Sequence, residues 1–327
     1  MIQNQGCFQT KGCAILEQYE TRKRRKGIKI IGGILLISFM LGIFLSAGGS
    51  STPSEEYLAV LHIEGTMSEN DGYTYDQQYL LDSVEELIQD EYNQGLLLCI
   101  DTPGGAVYQI DELYLKLMEY KENTGRPIYA AVESYAASGG YYVACAADKI
   151  YANRNAITGS IGVIMGEFID VSGLLDQLGV DVSYVSTGAN KAMGSSFAPL
   201  TEEQRAIYQA ICDESYERFV AIISESRNME EAAVRNLADG RIYTANQAVQ
   251  NGMIDGIESF EDTLNRMKTD LGNADMEVWT YQYQGPAGLF DYLASGDIQK
   301  LADTFTGEKR LMENSEPPEV MMYFRGY

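Results

Sequence analysis

The chain has 327 residues, of which 45% are hydrophobic and 22% charged, so wholesale disorder and fibrous repeats are excluded. It has one histidine, His62, which excludes any site that needs two histidines from one chain, such as an HExxH zinc site. The net charge of −23 argues against nucleic acid as a partner, because phosphate binding needs clustered Lys and Arg.

The charge is divided between the N-terminal segment and the rest of the chain. Residues 1–29 hold seven basic and two acidic residues, a balance of +5, and residues 30–47 hold no charged residue. The remainder has 17 basic and 45 acidic residues, a balance of −28. As a helix, the uncharged run would span about 27 Å, close to the thickness of a bilayer core. We therefore predict a transmembrane helix over 30–47 with a cytoplasmic N-terminus; a cleaved signal peptide is the alternative.

The rest of the sequence indicates a polar linker, a folded domain and a C-terminal extension. Residues 48–56 form the linker, residues 57–283 alternate apolar strands with helices, as in an α/β domain, and residues 284–327 form the extension. Strands are predicted at 57–63, 96–101, 128–133, 149–152, 161–165, 180–185 and 276–283. Helices are predicted around 80–88 and 110–118, and from a capping box at Thr201 and Gln204 to Ile223. The cysteines beyond the membrane run, Cys99, Cys145 and Cys212, lie in apolar contexts typical of buried free thiols.

A glycine pair follows the second predicted strand. The segment Asp101-Thr-Pro-Gly-Gly105 joins that strand to a helix. Glycines allow backbone N–H groups to turn towards a ligand, which is how main chain forms an oxyanion hole. An ordinary glycine-rich turn is the alternative.

A second glycine pair follows a serine at the end of the next strand. In Ser138-Gly-Gly-Tyr, the serine precedes an alanine-rich helix, whose dipole would place positive potential at its hydroxyl. The Gly139 N–H would lie beside any carbonyl that Ser138 attacks. A helix N-cap is the alternative for Ser138, but two such turns at the strand ends of one sheet favour a nucleophile.

A nucleophilic serine needs a general base, and Lys191 is the candidate. His62 lies in the first predicted strand away from any motif, and we interpret it as a core or edge residue. Lys191 lies in a loop rich in small and apolar residues, with no acidic residue between Asp181 and Glu202. Such surroundings disfavour the charged ammonium, which must lose a proton before the lysine can act as a base.

Together these segments resemble signal peptide peptidase A, a family of membrane-anchored serine/lysine-dyad proteases with the ClpP/crotonase fold. The resemblance covers about residues 57–283. It rests on Ser138-Gly-Gly-Tyr, the earlier Pro-Gly-Gly turn, Thr158-Gly-Ser-Ile-Gly-Val and the lysine about 50 residues after the serine. The resemblance implies a domain of repeated ββα units.

The resemblance also implies a role for each site residue, and no metal or cofactor. Ser138 is the nucleophile, Lys191 the general base and Ser160 the residue that orients the lysine amine, while the N–H groups of Gly105 and Gly139 bind the oxyanion. Gly104 is the less favoured donor.

Two features depart from the family pattern. The first turn reads Asp-Thr-Pro where the family commonly has Asn-Ser-Pro, which is a conservative change. Pro199 follows Lys191 by eight residues, whereas family members often have a proline closer to the lysine. The shape of the lysine loop is therefore the least defined part of the expected site.

The family implies substrates and an assembly. Remnant signal peptides and other short hydrophobic peptides are the expected substrates, docked as an added strand. Family members form rings with inward-facing sites, so we expect a homo-oligomeric ring at the membrane, with the catalytic domain outside the cytoplasm. Two alternatives stay open: a crotonase-type acyl-thioester (CoA) enzyme and a catalytically inactive membrane scaffold.

The C-terminal tail is apolar and extended in character over residues 319–327. Packing on the domain or on a neighbouring subunit is the simplest interpretation. Our hypothesis is that the tail enters a substrate groove, where it either blocks the groove or is trimmed.

Overall fold

The computed structural model describes residues 55–285 and 321–323, which fall within one compact unit, Ser54–Tyr327. The predicted cytoplasmic segment, the transmembrane helix and most of both the linker and the C-terminal extension lie outside the described residues. Among the helices that are described, none has the length and hydropathy needed to cross a bilayer.

Strands and helices alternate along the described chain, which confirms the α/β class. The strands are Tyr57–Glu64 (β1), Asn93–Thr102 (β2), Gly104–Ala106 (β3), Ile128–Ala137 (β4), Lys149–Ala152 (β5), Ile157–Gly159 (β6), Ile242–Thr244 (β7), Gly256–Ile257 (β8), Glu277–Tyr281 (β9) and Met321–Tyr323 (β10). The helices are Gln77–Gln89 (α1), Val107–Thr124 (α2), Gly139–Ala144 (α3), Ser172–Leu178 (α4), Glu202–Arg227 (α5), Glu231–Leu237 (α6), Ala245–Gln250 (α7) and Phe260–Asp270 (α8).

Most of the described strands form one largely parallel sheet. Its order is β7-β6-β4-β2-β1-β9, with β5 paired to β4 and β8 paired to β5. Every pair is parallel except β6 with β7. Strands β3 and β10 form a separate antiparallel pair. Because β2 and β4 are parallel neighbours, the turns that follow them lie at the same edge of the sheet.

The central strands are buried on both faces, which explains why they were predictable as continuous apolar runs. In β1, Ala59, Leu61 and Ile63 belong to the larger core, which also contains buried residues of α1 and α2. Leu58 and Val60 belong to a smaller core that includes Met267 of α8.

The long helix α5 begins as the sequence predicts. The Gln204 N–H donates to Thr201 Oγ1 at 3.2 Å, and the Thr201 N–H donates to Gln204 Oε1 at 3.3 Å, which together form the capping box. The predicted helices at 80–88 and 110–118 are confirmed as parts of α1 and α2.

Two strand predictions are wrong, at residues 161–165 and 180–185. The strand in the first region is β6, which ends before Ile161. Residues 180–185 are irregular and exposed, and none of the described strands pairs with them. An apolar alternation forms a strand only where a neighbouring strand can satisfy its backbone, and the described chain offers none there.

Candidate active site

Ser138 lies in a sharp turn between β4 and α3. Its φ of 53° and ψ of −115° are unusual for a residue with a side chain. Its N–H donates to the Gly159 carbonyl at 2.7 Å, and its own carbonyl accepts from Tyr141 and Tyr142, each at 3.0 Å. The residue is 1% exposed. The surrounding backbone therefore holds the serine in a strained conformation at the start of a helix.

The two glycine turns are in direct contact. A Cβ on Gly139 would lie 2.1 Å from Ile110 Cδ1 and 3.2 Å from Gly104 Cα. A Cβ on Gly140 would lie 2.9 Å from the Thr102 carbonyl oxygen. The absence of side chains at both glycines lets the Ser138 turn approach the turn that follows β2.

One edge of β3 is hydrogen-bonded to Met67, and the other edge faces a partner strand. The Met67 N–H donates to the Gly104 carbonyl at 2.9 Å, and the Ala106 N–H donates to the Met67 carbonyl at 2.8 Å. The Gly104 N–H donates to Thr102 Oγ1 at 3.1 Å. Because backbone groups alternate along a strand, the N–H and carbonyl of Gly105 point away from Met67. A Cβ on Gly105 would lie 1.9 Å from the Met67 oxygen, so only glycine fits there.

Ser160 lies beside the Ser138 turn. Strand β6 pairs with the end of β4, with Gly159 opposite Ala137, so the two serines follow paired residues. Ser160 also has a positive φ, 51°, and its N–H donates to the Arg241 carbonyl at 2.8 Å. The structure therefore brings together four of the five predicted site residues: Ser138, Gly139, Gly105 and Ser160.

Lys191 is exposed whereas Ser138 is buried, and no hydrogen bond joins the two among the described residues. Lys191 lies in a loop that is tied to α5 by Asn190 Nδ2, which donates to Glu203 Oε1 at 3.2 Å, and by the Tyr208 hydroxyl, which donates to the Met193 carbonyl at 3.1 Å. Among the described residues, the Lys191 ammonium makes no hydrogen bond and no ion pair.

The part of the tail that is described pairs with the glycine strand. Strand β10 runs antiparallel to β3, with Met321 opposite Ala106, Met322 opposite Gly105 and Tyr323 opposite Gly104. Its backbone therefore lies along the edge to which the Gly105 N–H points.

The other candidate nucleophiles and bases lie outside this arrangement. His62 is in β1, and its Nδ1 lies 2.8 Å from Glu64 Oε1. Cys99 and Cys145 are buried free thiols, as predicted, whereas Cys212 is only half-buried. Burial raises the pKa of the Cys145 thiol to about 12, so it stays protonated at neutral pH. Within the described residues, no group of three His, Cys, Asp or Glu side chains could hold a metal ion.

Sequence reasoning missed two residues that position the site. The backbone of Met67 holds both ends of β3, and the Thr102 hydroxyl accepts the Gly104 N–H. Thr102 could have been suspected, because a hydroxyl directly before Pro-Gly-Gly can accept a hydrogen bond from the turn. Nothing local signals Met67, which acts through its main chain.

Comparison with known proteins places the chain in a protease family. Residues 120–274 match the model of peptidase family S49. "Putative signal peptide peptidase SppA" of Enterococcus faecium is 39% identical over 258 residues, 77% of this chain and 74% of that protein. "Putative protease MJ0651" of Methanocaldococcus jannaschii is 30% identical over 87% of this chain and 93% of that protein. "Protease 4" of Haemophilus influenzae is 31% identical over 64% of this chain and 34% of that protein. The chain therefore belongs to peptidase family S49, the signal peptide peptidase A family, and is a protease.

Proposed function

We propose that this protease is a serine endopeptidase that uses a Ser138/Lys191 dyad to degrade remnant signal peptides and other short hydrophobic peptides at the membrane. The observation that carries the proposal is the turn at Ser138, a strained serine between a strand and a helix with backbone N–H groups on either side. Such a turn presents a hydroxyl to a substrate carbonyl beside a helix N-terminus that stabilises negative charge. The name of the Enterococcus relative supports the substrate class.

The oxyanion hole of this proposal uses the N–H groups of Gly105 and Gly139. Gly104 is disfavoured because its N–H already donates to Thr102 Oγ1. Gly139 is the first residue of α3, so its N–H has no acceptor within the helix. Both donors lie beside the serine turn.

Docking as an added strand is supported by the position of β10. This strand lies antiparallel along β3, in the manner expected for a peptide bound by main-chain hydrogen bonds. Two of its three residues are methionines and the third is a tyrosine, so the chain's own tail has the apolar character proposed for substrates. The tail is in this proposal a tethered occupant of the substrate groove.

We infer that Lys191 acts on Ser138 of a neighbouring copy in a ring. The loop and α4 region from 162 to 200, here called the arm, exposes an unusual set of large apolar side chains. They are Ile164, Phe168, Ile169, Leu174, Leu178, Val180, Val182, Tyr184, Val185 and Phe197. Packing of the arm on a second copy would bury these side chains and remove water from the Lys191 amine, which a base needs in order to be neutral. It would also give residues 180–185 a partner.

The reaction is an acyl transfer in two steps. The neutral Lys191 amine takes the proton from Ser138 Oγ, and Oγ attacks the peptide carbonyl carbon. The oxyanion is bound by the two backbone N–H groups. The C–N bond then breaks, and the Lys191 ammonium protonates the leaving amine. Water, deprotonated by Lys191, hydrolyses the acyl-enzyme and releases Ser138. Ser160 accepts or donates a hydrogen bond at the amine and orients its lone pair.

Membrane anchoring and the ClpP/crotonase fold complete the proposal. The apolar run 30–47 would anchor the chain with its basic end in the cytoplasm, so the catalytic domain would meet peptides released at the outer surface. The mostly parallel sheet with glycine turns at its edge supports the fold assignment.

The test is hydrolysis of a fluorogenic apolar peptide by the purified full chain in detergent. We expect Ser138→Ala and Lys191→Ala each to abolish cleavage while the circular dichroism spectrum is unchanged. Lys149→Ala is the matched control, because Lys149 pairs with Asp270 on the surface of the sheet. Cleavage retained by either dyad variant would reject the assignment of that residue. Turnover of acyl-CoA thioesters without peptide cleavage would favour the crotonase-type alternative instead.

The tail is tested by the intact mass of the wild-type chain and of Ser138→Ala. A shorter C-terminus in wild type alone would show trimming. Identical C-termini would exclude trimming.

A further inference from the structure

The segment 240–244 runs along β6 and lies outside the proposed dyad and oxyanion hole. It includes β7, which pairs antiparallel with all three residues of β6. Beyond the paired strands, the Gly240 N–H donates to the Ile161 carbonyl at 3.1 Å. The segment therefore contacts the whole of β6 and also the backbone just beyond Ser160.

Gly159, at the end of β6, connects the two serines of the proposed site. Its carbonyl accepts the Ser138 N–H at 2.7 Å, and Ser160 follows it in the chain. The φ of Gly159 is 88°, and that of Ser160 is 51°. Glycine has more conformational freedom than any other residue, so the neighbours of Gly159 must hold it in this conformation. A change in its backbone would move the acceptor of the Ser138 N–H and the hydroxyl of Ser160 together.

The ring of Tyr243 constrains Gly159. An ideal Cβ on Gly159 would lie 2.6 Å from Tyr243 Cδ2 and 2.9 Å from the Arg241 carbonyl oxygen. The ring therefore fills the space beside Gly159 where a side chain would otherwise lie. Tyr243 is 7% exposed, and its hydroxyl donates to the Leu237 carbonyl at 2.9 Å. Packing and this hydrogen bond together hold the ring in place.

The backbone next to Tyr243 holds Ser160 directly. The Arg241 carbonyl accepts the Ser160 N–H at 2.8 Å. On its opposite edge, β6 pairs with the end of β4, which leads to Ser138. Hydrogen bonds therefore fix both edges of the chain at the point where the two serine turns lie side by side.

We propose that Tyr243 is a positioning residue, whose ring fixes the backbone of Gly159 and so holds Ser138 and Ser160 in the relative position that proton transfer needs. The proposal rests on the serine peptidase activity proposed above and adds a residue that acts only through its neighbours. The ring lies against β6 and not against β3, the strand proposed to bind the peptide. Its loss should therefore slow the chemical step and leave peptide binding largely unchanged.

The test compares Tyr243→Leu with Tyr151→Leu in hydrolysis of the fluorogenic apolar peptide by the purified full chain. Tyr151 is the matched control, because it is also 7% exposed and its ring lies 3.2 Å from an ideal Cβ on Gly256 of the neighbouring strand. In the sheet, however, Tyr151 lies opposite Ala131, well before Ser138. The two substitutions remove the same ring from comparably buried strand positions, of which only one adjoins the serine turns.

We expect Tyr243→Leu to lower kcat about 10- to 100-fold while KM changes less than about 3-fold. Tyr151→Leu should keep kcat within about 2-fold of wild type, because the site geometry is unchanged. Both substitutions should lower the melting temperature, since each leaves a cavity. Tyr243→Phe keeps the ring and should keep kcat within about 3-fold of wild type. If either Leu variant does not fold, Tyr243→Met and Tyr151→Met provide the same comparison.

The outcomes separate this proposal from the proposed function. Absence of peptide cleavage by the wild-type chain would overturn the peptidase proposal and this one with it. With an active wild type, equal losses of kcat in Tyr243→Leu and Tyr151→Leu would overturn the positioning role alone. A raised KM with unchanged kcat in Tyr243→Leu would also overturn it, as would a Tyr243→Phe chain as slow as Tyr243→Leu. A loss of kcat that is confined to Tyr243→Leu and largely restored in Tyr243→Phe would support it.

Discussion

The two halves of the proposed dyad are held in very different ways. Ser138 is 1% exposed, its backbone is bonded to β6, and glycines on both neighbouring turns pack against each other. Lys191 is exposed in a loop that is tied to α5 through hydrogen bonds of its neighbours Asn190 and Met193.

In the proposed mechanism, this difference means that a single chain positions the serine, whereas its Lys191 remains in contact with water. A serine turn needs only correct backbone geometry, which strand register and glycine provide. A lysine base needs removal of water, which an exposed loop does not provide and a second copy would.

Co-expression of Ser138→Ala with Lys191→Ala tests most directly whether the serine and the lysine of one dyad come from different copies. Each variant alone should be inactive. If the dyad forms between copies, random mixing in a ring should restore about a quarter of wild-type activity, because half the copies keep the serine and half of their neighbours keep the lysine. Co-purified mixed assemblies with no activity would contradict a dyad shared between copies.

Gly105→Ala tests the proposed oxyanion hole beside Ser138. Its Cβ would lie 1.9 Å from the Met67 oxygen, so β3 must shift and the Gly105 N–H must move. We expect kcat to fall about 10²- to 10³-fold, as for loss of one oxyanion donor. Gly162→Ala is the control, since its Cβ would have no neighbour closer than 3.7 Å. Equal effects of the two variants would contradict the assignment of Gly105.

Ser160→Gly should lower activity without lowering stability, and its effect on activity should be smaller than that of Gly105→Ala. Glycine suits the φ of 51° better than serine does, so Ser160→Gly should keep or raise the melting temperature. Loss of the hydroxyl that orients the lysine should lower kcat about 10- to 100-fold. Full activity in a stable Ser160→Gly chain would show that Ser160 has no role in orienting the base.

The smallest expected effect concerns the buried thiols of Cys99 and Cys145. Burial raises the pKa of Cys145 to about 12, and that of Cys99 is also raised, so the reactive thiolates form only at strongly alkaline pH. Iodoacetamide at pH 8 should leave both cysteines unmodified and the activity unchanged, as read by peptide mass mapping. Rapid modification of Cys145 in the folded chain would contradict the burial described here.

A feature of this fold can be predicted from the sequence when its physical cause lies in residues that are nearby in the chain. The buried strands, the capping box at Thr201 and the serine and glycine turns were predictable, because each has a nearby cause in apolar runs or backbone chemistry. Residues 180–185 were predicted wrongly as a strand, since pairing depends on a partner that the pattern does not contain. The role of Met67 was not predictable, because it acts through main-chain atoms that carry no residue identity.

The strained backbone conformation of Ser138 affects which substitutions are favoured at this position during evolution. A residue with a side chain at such a φ and ψ costs about 1–3 kcal/mol, and glycine would remove much of that cost. In the proposed mechanism, Ser138→Gly would therefore give an inactive chain that folds more stably than the active one. Mutational drift at this position runs towards a stable and inert protein, so only selection for the activity itself keeps a serine there.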